Sequence, residues 1–78
     1  MLFITLTTNR KVTEEEILLI EKNPNVKSAF TFFGIISGEP ALYGVYIVPI
    51  FNNQQIMNEI IQNVKLLGVE VKKSIFST

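Results

Sequence analysis

The segment LYGVYIVPI, residues 42–50, is apolar on both of the faces that a β-strand presents. Side chains of a strand point alternately to its two sides. One side carries Leu42, Tyr46, Val48 and Ile50, and the other carries Tyr43, Val45 and Ile47. A strand with two apolar sides is typical of the centre of a sheet that is covered on both faces. The segment therefore predicts a central strand, and it predicts that each face of the sheet meets other protein.

Three further elements precede this segment. Residues 26–33 are rich in Val and Phe and predict a strand, and the glycines and proline of residues 34–40 predict the turn that follows it. Thr13 and the three glutamates after it predict the start of a helix, which ends at the Asn-Pro-Asn of residues 23–25. We expect Ile17, Leu18 and Ile20, together with Leu19, to supply the buried side of that helix. The alternation over residues 2–7 predicts a first strand.

Two elements follow. Asn52 and Asn53 predict the cap of a second helix, whose apolar residues recur every three or four positions as far as Leu67. Gly68 predicts a left-handed ending. In residues 69–75, Val69, Val71 and Ile75 alternate with Glu70, Lys72 and Ser74, which predicts a closing strand with the three apolar side chains on one side. The order strand, helix, strand, strand, helix, strand predicts a ferredoxin-like α+β fold, with a four-stranded antiparallel sheet and two helices on one face. Residues 1–78 contain no linker and predict a single domain.

The two predicted helices cover only one face of the sheet, which leaves the other apolar face in need of a partner. The chain has 78 residues, of which 47% are hydrophobic, and it has no cysteine for a disulfide. Small domains without such cross-links often gain stability by oligomerisation. We therefore predict a homo-oligomer, a dimer or larger, whose interface is built from Phe3, Tyr43, Val45 and Ile47.

The amino-acid composition limits the catalytic and metal-binding groups that are available. Seven basic residues balance seven glutamates, and His, Cys, Asp and Trp are absent. General-base work would fall to Glu, Lys or Tyr, and we predict no catalytic residue, no metal ligand and no cofactor. The neutral charge argues against direct DNA binding, because that binding needs several Lys and Arg side chains on the phosphates. No apolar run reaches the roughly 20 residues that span a membrane, so we expect a cytoplasmic protein without membrane contact.

The same strand order occurs in the RNA recognition motif. Leu2-Phe3-Ile4 resembles part of the first-strand motif of that family, and Tyr43-Gly44-Val45 resembles part of its third-strand motif. However, Leu42 and Ala41 stand where that family has a glycine and a basic residue. The neutral chain also lacks the positive groove that single-stranded binders use.

The whole chain resembles the effector-binding domain of the Lrp/AsnC family of feast/famine regulators, also called the RAM domain. Residues 38–48, GEPALYGVYIV, are similar to the Gly-Glu run that leads into the third strand of that family. Asn23-Pro24-Asn25-Val26 resembles its entry to the second strand, and Leu67-Gly68-Val69-Glu70 resembles its entry to the last strand.

The resemblance implies a non-enzymatic regulatory module that binds an amino acid or a similar metabolite at a subunit interface. It makes Gly38, Glu39 and Ser74 the candidate ligand contacts, and it makes full-length regulators of the Lrp/AsnC type candidate partners. Two alternatives remain open. One is a small enzyme of the dimeric α+β barrel type, which encloses a cavity between sheet and helices, and the other is a purely structural oligomerisation adaptor.

Overall fold

A computed structural model describes residues 2–77, so Met1 and Thr78, the two ends of the predicted domain, lie outside it. Six elements follow one another along the chain. They are β1 (Phe3–Thr8), α1 (Glu14–Glu21), β2 (Val26–Gly34), β3 (Leu42–Pro49), α2 (Gln54–Lys65) and β4 (Val71–Ser77). The strands form one sheet in the order β2-β3-β1-β4, and all neighbouring pairs are antiparallel. The predicted ferredoxin-like α+β fold is confirmed.

Capping residues mark the starts of both helices, and a glycine follows the second. The Thr13 hydroxyl accepts from the backbone N–H of Glu16, and the Glu16 carboxylate accepts from the backbone N–H of Thr13, which completes a capping box. Asn53 caps α2 by accepting from two amides of its first turn. After α2, Gly68 adopts a φ of 82°, the left-handed conformation that its type predicts. Within residues 2–77, neither helix is long and apolar enough to cross a membrane.

The hydrophobic core lies between the sheet and the helices. Ile4 of β1 lies opposite Ile47 of β3, and Leu6 lies opposite Val45. Directly paired residues of antiparallel strands share a face, so these four side chains point together toward the helices. The fully buried side chains of the core are Ile4, Leu6, Val12, Val45, Ile47, Ile60 and Val64.

The first helix buries fewer residues than its sequence predicts. Ile17 and Ile20 enter the core, whereas Leu18 is 62% exposed. Positions 17 and 20 lie about one helical turn apart on the same side, whereas position 18 is rotated by about 100° from position 17 and by about 160° from position 20. The predictions for Leu18 and for Leu19, which is 50% exposed, were therefore wrong.

The structure also corrects the predicted interface. Val45 and Ile47 are fully buried against the helices, and Tyr43 is on the same side of β3. Phe3 lies on the opposite side of the sheet. The division of β3 into two apolar sides was right, but the alternation of a strand does not say which side meets the helices. Phe3 therefore shares no surface with Tyr43, Val45 and Ile47.

A bulge changes the faces along β4. Val71 lies opposite Thr8 and packs against the core, whereas Ile75 lies opposite Thr5 on the other side of the sheet. The register shifts between Thr7 and Thr8. An extra residue in one strand of a pair reverses the side to which later residues point. The even alternation read from residues 69–75 had placed Val71 and Ile75 on one side.

Candidate functional site

The side of the sheet that carries no helix, which we call the open face, is the most distinctive surface of the molecule. It presents Phe3, Thr5 and Thr7 of β1, Ser28, Phe30, Phe32 and Gly34 of β2, Leu42, Gly44, Tyr46 and Val48 of β3, and Lys73, Ile75 and Ser77 of β4. Lys73 is the single charged residue in this set. The open face is therefore nearly uncharged.

Aromatic side chains of β2 and β3 form a cluster on the open face. Phe30 lies opposite Tyr46, and the Phe32 and Tyr46 ring centroids are 4.6 Å apart with the rings tilted by 34°. Phe32 lies over Gly44, where a β-carbon would overlap its ring. Phe30 is 58% exposed and Tyr46 is 42% exposed. Exposed rings of this kind are enriched at the centres of protein interfaces.

A shallow depression of about 310 Å³ lies beside these rings. It is lined by Phe3, Thr5, Phe30, Tyr46 and Ser77. These residues come from all four strands, with Phe30 on the edge strand β2 and Ser77 on the edge strand β4. All five side chains are uncharged, so the depression suits an apolar group with at most a few hydrogen bonds.

The structure separates the residues that the family resemblance marks as ligand contacts. Gly38 and Glu39 lie in the loop between β2 and β3, where the Glu39 N–H donates to the Ile36 carbonyl at 3.0 Å and Gly38 has a φ of 82°. Ser74 lies on β4, at the other edge of the sheet, with β1 between it and β3. The turn itself explains the need for Gly38. One subunit does not bring Ser74 together with Gly38 and Glu39.

An ion pair joins the loop after β1 to α1, and the same arginine donates a hydrogen bond to the turn after α2. Arg10 donates to both carboxylate oxygens of Glu16 at 2.8 Å, and it also donates to the Leu67 carbonyl at 3.3 Å. The hydrogen bond from Arg10, together with that from the Thr13 backbone, lowers the pKa of Glu16 to about 2. Because folding lowers this pKa, the pair stabilises the fold above the ordinary range of a glutamate and loses that effect as the pH falls toward 2. Nothing in the sequence pattern pointed to this pair.

The interior between sheet and helices is apolar. Thr8 is its buried polar residue, and its hydroxyl donates to the Arg10 carbonyl at 2.6 Å. Within the described part of the chain, no three acidic side chains lie close enough together to hold a metal ion. The open face, which is exposed and rich in aromatic rings, is therefore the surface best suited to binding.

Comparisons with protein-family models and with curated proteins give no match for this chain.

Proposed function

We propose that this protein is a non-enzymatic, self-associating regulatory module whose open face packs against the open face of a second copy. The observation that carries the proposal is the exposed aromatic layer of Phe3, Phe30 and Tyr46 on a sheet face without a helix. Soluble domains rarely leave such a contiguous apolar surface uncovered.

The size of the open face suits a dimer. Four strands about 4.8 Å apart, with about six residues each at about 3.4 Å per residue, cover roughly 400 Å² in projection, and the side chains that stand above this plane add to the accessible area. A stable interface of ordinary size buries about 800 Å² on each partner. At about 25 cal/mol per Å², burial of this apolar area contributes a favourable free energy that is large for a domain of this length. The entropy lost on association offsets much of that free energy.

The charge of the open face favours a second copy over a nucleic acid. Among residues 2–77, Lys73 is its one cation, and it lies toward one end of the edge strand β4. A nucleic-acid platform combines its aromatic rings with a positive groove along the backbone, which one lysine does not supply. Two copies related by a twofold axis bring apolar surfaces together and leave each Lys73 near the rim.

Replacing Tyr46 by glutamate tests this proposal. Tyr46 is 42% exposed, so the isolated subunit keeps a solvated charge and its fold, whereas the dimer would bury that charge without a partner. We expect wild type to have twice the 8.8 kDa mass of the chain by light scattering at micromolar concentration. The variant should dissociate, with a dissociation constant raised by about 100-fold or more, equivalent to about 2.7 kcal/mol.

Leu66→Glu is the matched control, because Leu66 is 83% exposed beyond the end of α2 and lies far from the open face. Its mass should equal that of wild type. Ile75→Glu, on β4, repeats the test if the Tyr46 variant fails to fold. A monomeric wild type would contradict the proposal, as would a folded Tyr46→Glu that keeps the wild-type mass. A monomer that binds single-stranded oligonucleotides would support the RNA-binding alternative instead.

We further propose, on the family resemblance, that the assembly binds an amino acid or similar metabolite and associates with full-length regulators of the Lrp/AsnC type. Because Ser74 lies at the far edge of the sheet from the loop of Gly38 and Glu39, a site that uses all three needs two subunits. Such a site would lie between subunits, which links ligand binding to assembly.

Thermal unfolding with each amino acid in turn tests the ligand. A ligand of the native state at about 100 times its dissociation constant adds about 2.7 kcal/mol, which raises the melting temperature by roughly 10–20 °C. We expect at least one amino acid to do so, and we expect Glu39→Gln to lose the shift while Glu59→Gln on α2 keeps it. The absence of a shift across the panel would favour the purely structural adaptor.

A further inference from the structure

The two edges of the sheet are protected unequally. β4 carries Lys72 and Lys73 at one edge, and lysines on an edge strand oppose pairing with another strand. β2, at the other edge, is nine residues long and has one charged residue, Lys27, near its beginning. Phe30 and Phe33 on the same strand are each more than half exposed. A long, apolar and nearly uncharged edge is a surface on which a second strand pairs readily.

One side chain occupies this edge. The backbone N–H of Ala29 donates to the carboxylate of Glu21, the last residue of α1, at 3.2 Å. Ala29 lies opposite Ile47 of β3. The amides along an antiparallel strand point alternately toward and away from the partner strand. Because the Ala29 amide donates to Glu21, it is one of those that point away from β3. The Glu21 oxygen therefore takes the place that the carbonyl of an added strand would take.

The same alternation identifies the remaining outward amides. They belong to Thr31 and Phe33, which lie two and four residues beyond Ala29 on the same strand. The Glu21 carboxylate covers the first of these three outward amides.

We propose that the β2 edge is a strand-pairing surface for the β2 edge of a second copy, and that the Glu21 carboxylate holds this surface closed. This proposal does not rest on packing of the open faces, because it concerns a different surface.

A second copy fits this edge for two reasons. Antiparallel pairing about a twofold axis at Thr31 would set Ala29 opposite Phe33 of the other copy and satisfy the outward amides of both strands. The same register would set Lys27 opposite the uncharged end of the other strand, so no like charges would face each other. The two open faces would then become one continuous apolar surface.

The test removes the Glu21 carboxylate in a chain whose open face is disabled. In a Tyr46→Glu background, we expect Glu21→Ala to raise the weight-average mass toward twice its former value. It should also slow amide hydrogen exchange at Thr31 and Phe33 by about tenfold or more as concentration rises. Glu21→Gln keeps an acceptor oxygen and should behave like the parent. Glu59→Ala removes an exposed acid from α2 and controls for the loss of charge.

Two results would overturn the proposal. The first is a folded Glu21→Ala variant with the mass and the Thr31 and Phe33 exchange rates of its parent. The second is a Tyr46→Glu parent whose Thr31 and Phe33 amides already show the same concentration-dependent protection from exchange. The β2 edge would then pair with Glu21 present, so Glu21 would not block it. Neither result depends on whether open faces associate, since the Tyr46→Glu background removes that contact and the Thr31 and Phe33 amides lie at the edge.

Discussion

Val45→Glu is expected to unfold the chain. Val45 is fully buried, opposite Leu6 in the layer that meets the helices. The substitution replaces an apolar side chain with a carboxylate that has no partner in that layer, and a buried unpaired charge costs several kcal/mol. The loss of apolar burial adds about 1.5–3 kcal/mol. The sum exceeds the roughly 3–5 kcal/mol that a core of this size supplies. Circular dichroism at neutral pH tests whether the variant is folded, and urea unfolding measures the loss of stability.

Tyr46→Glu is the matched control for Val45→Glu, because it puts the same charge one residue further along β3. Tyr46 points to the open face and is 42% exposed, so this variant should remain folded. Val45→Thr gives a graded change at the buried position, with an expected loss of about 1–3 kcal/mol from the new hydroxyl. A folded Val45→Glu with unchanged stability and altered oligomeric mass would return Val45 to the interface and contradict the structure.

Gly44→Ala is expected to lower the free energy of unfolding by about 2–4 kcal/mol, which is large for a single methyl group. A β-carbon at Gly44 would overlap the carbonyl oxygen of Leu6 and the ring of Phe32. The ring has room to move, but the Leu6 carbonyl belongs to the adjacent central strand β1 and moves only with the sheet. Urea unfolding of wild type and variant at the same pH measures the difference.

Gly34→Ala provides the control, since a β-carbon there would meet the β-carbon of Leu42 at an ordinary 3.8 Å. We expect its stability to lie within about 1 kcal/mol of wild type. Adding Phe32→Ala to Gly44→Ala removes the ring but leaves the carbonyl, so the double variant should remain well below wild type. A Gly44→Ala protein as stable as Gly34→Ala would show that β1 and β3 are not packed as closely as the structure has them.

Local pattern predicted most of the fold. Three features predicted it: the cap at Thr13, the helix end at Pro24 and the two-sided apolar strand of residues 42–50. Each depends only on residues close together in the chain, so each can be recognised from the sequence. The main errors were at Leu18 and at Ile75. The side that a helix buries depends on where the sheet lies, and the bulge beside Thr8 reverses the side of Ile75.

The candidate site was predicted only in outline. The sequence predicted an uncovered apolar face, because two helices cover one face of the sheet and the central strand is apolar on both. Phe3 was placed correctly on that uncovered face. The predicted companions Val45 and Ile47 face the helices instead. Phe30, Phe32 and Tyr46 were visible as aromatic residues, but no feature of their spacing showed that the pairing of β2 with β3 brings them together.

The sequence by itself determined the order of elements, the antiparallel sheet and the excess of apolar surface, because caps, turns and periodicity are properties of neighbouring residues. Only the tertiary structure decided which side of β3 the helices cover, since alternation with a period of two is the same seen from either side. The tertiary structure also decided that the Glu21 carboxylate accepts a hydrogen bond from the edge amide of Ala29 and that Arg10 forms an ion pair with Glu16. Those contacts depend on how α1 lies against the sheet, which is set by packing among residues far apart in the chain.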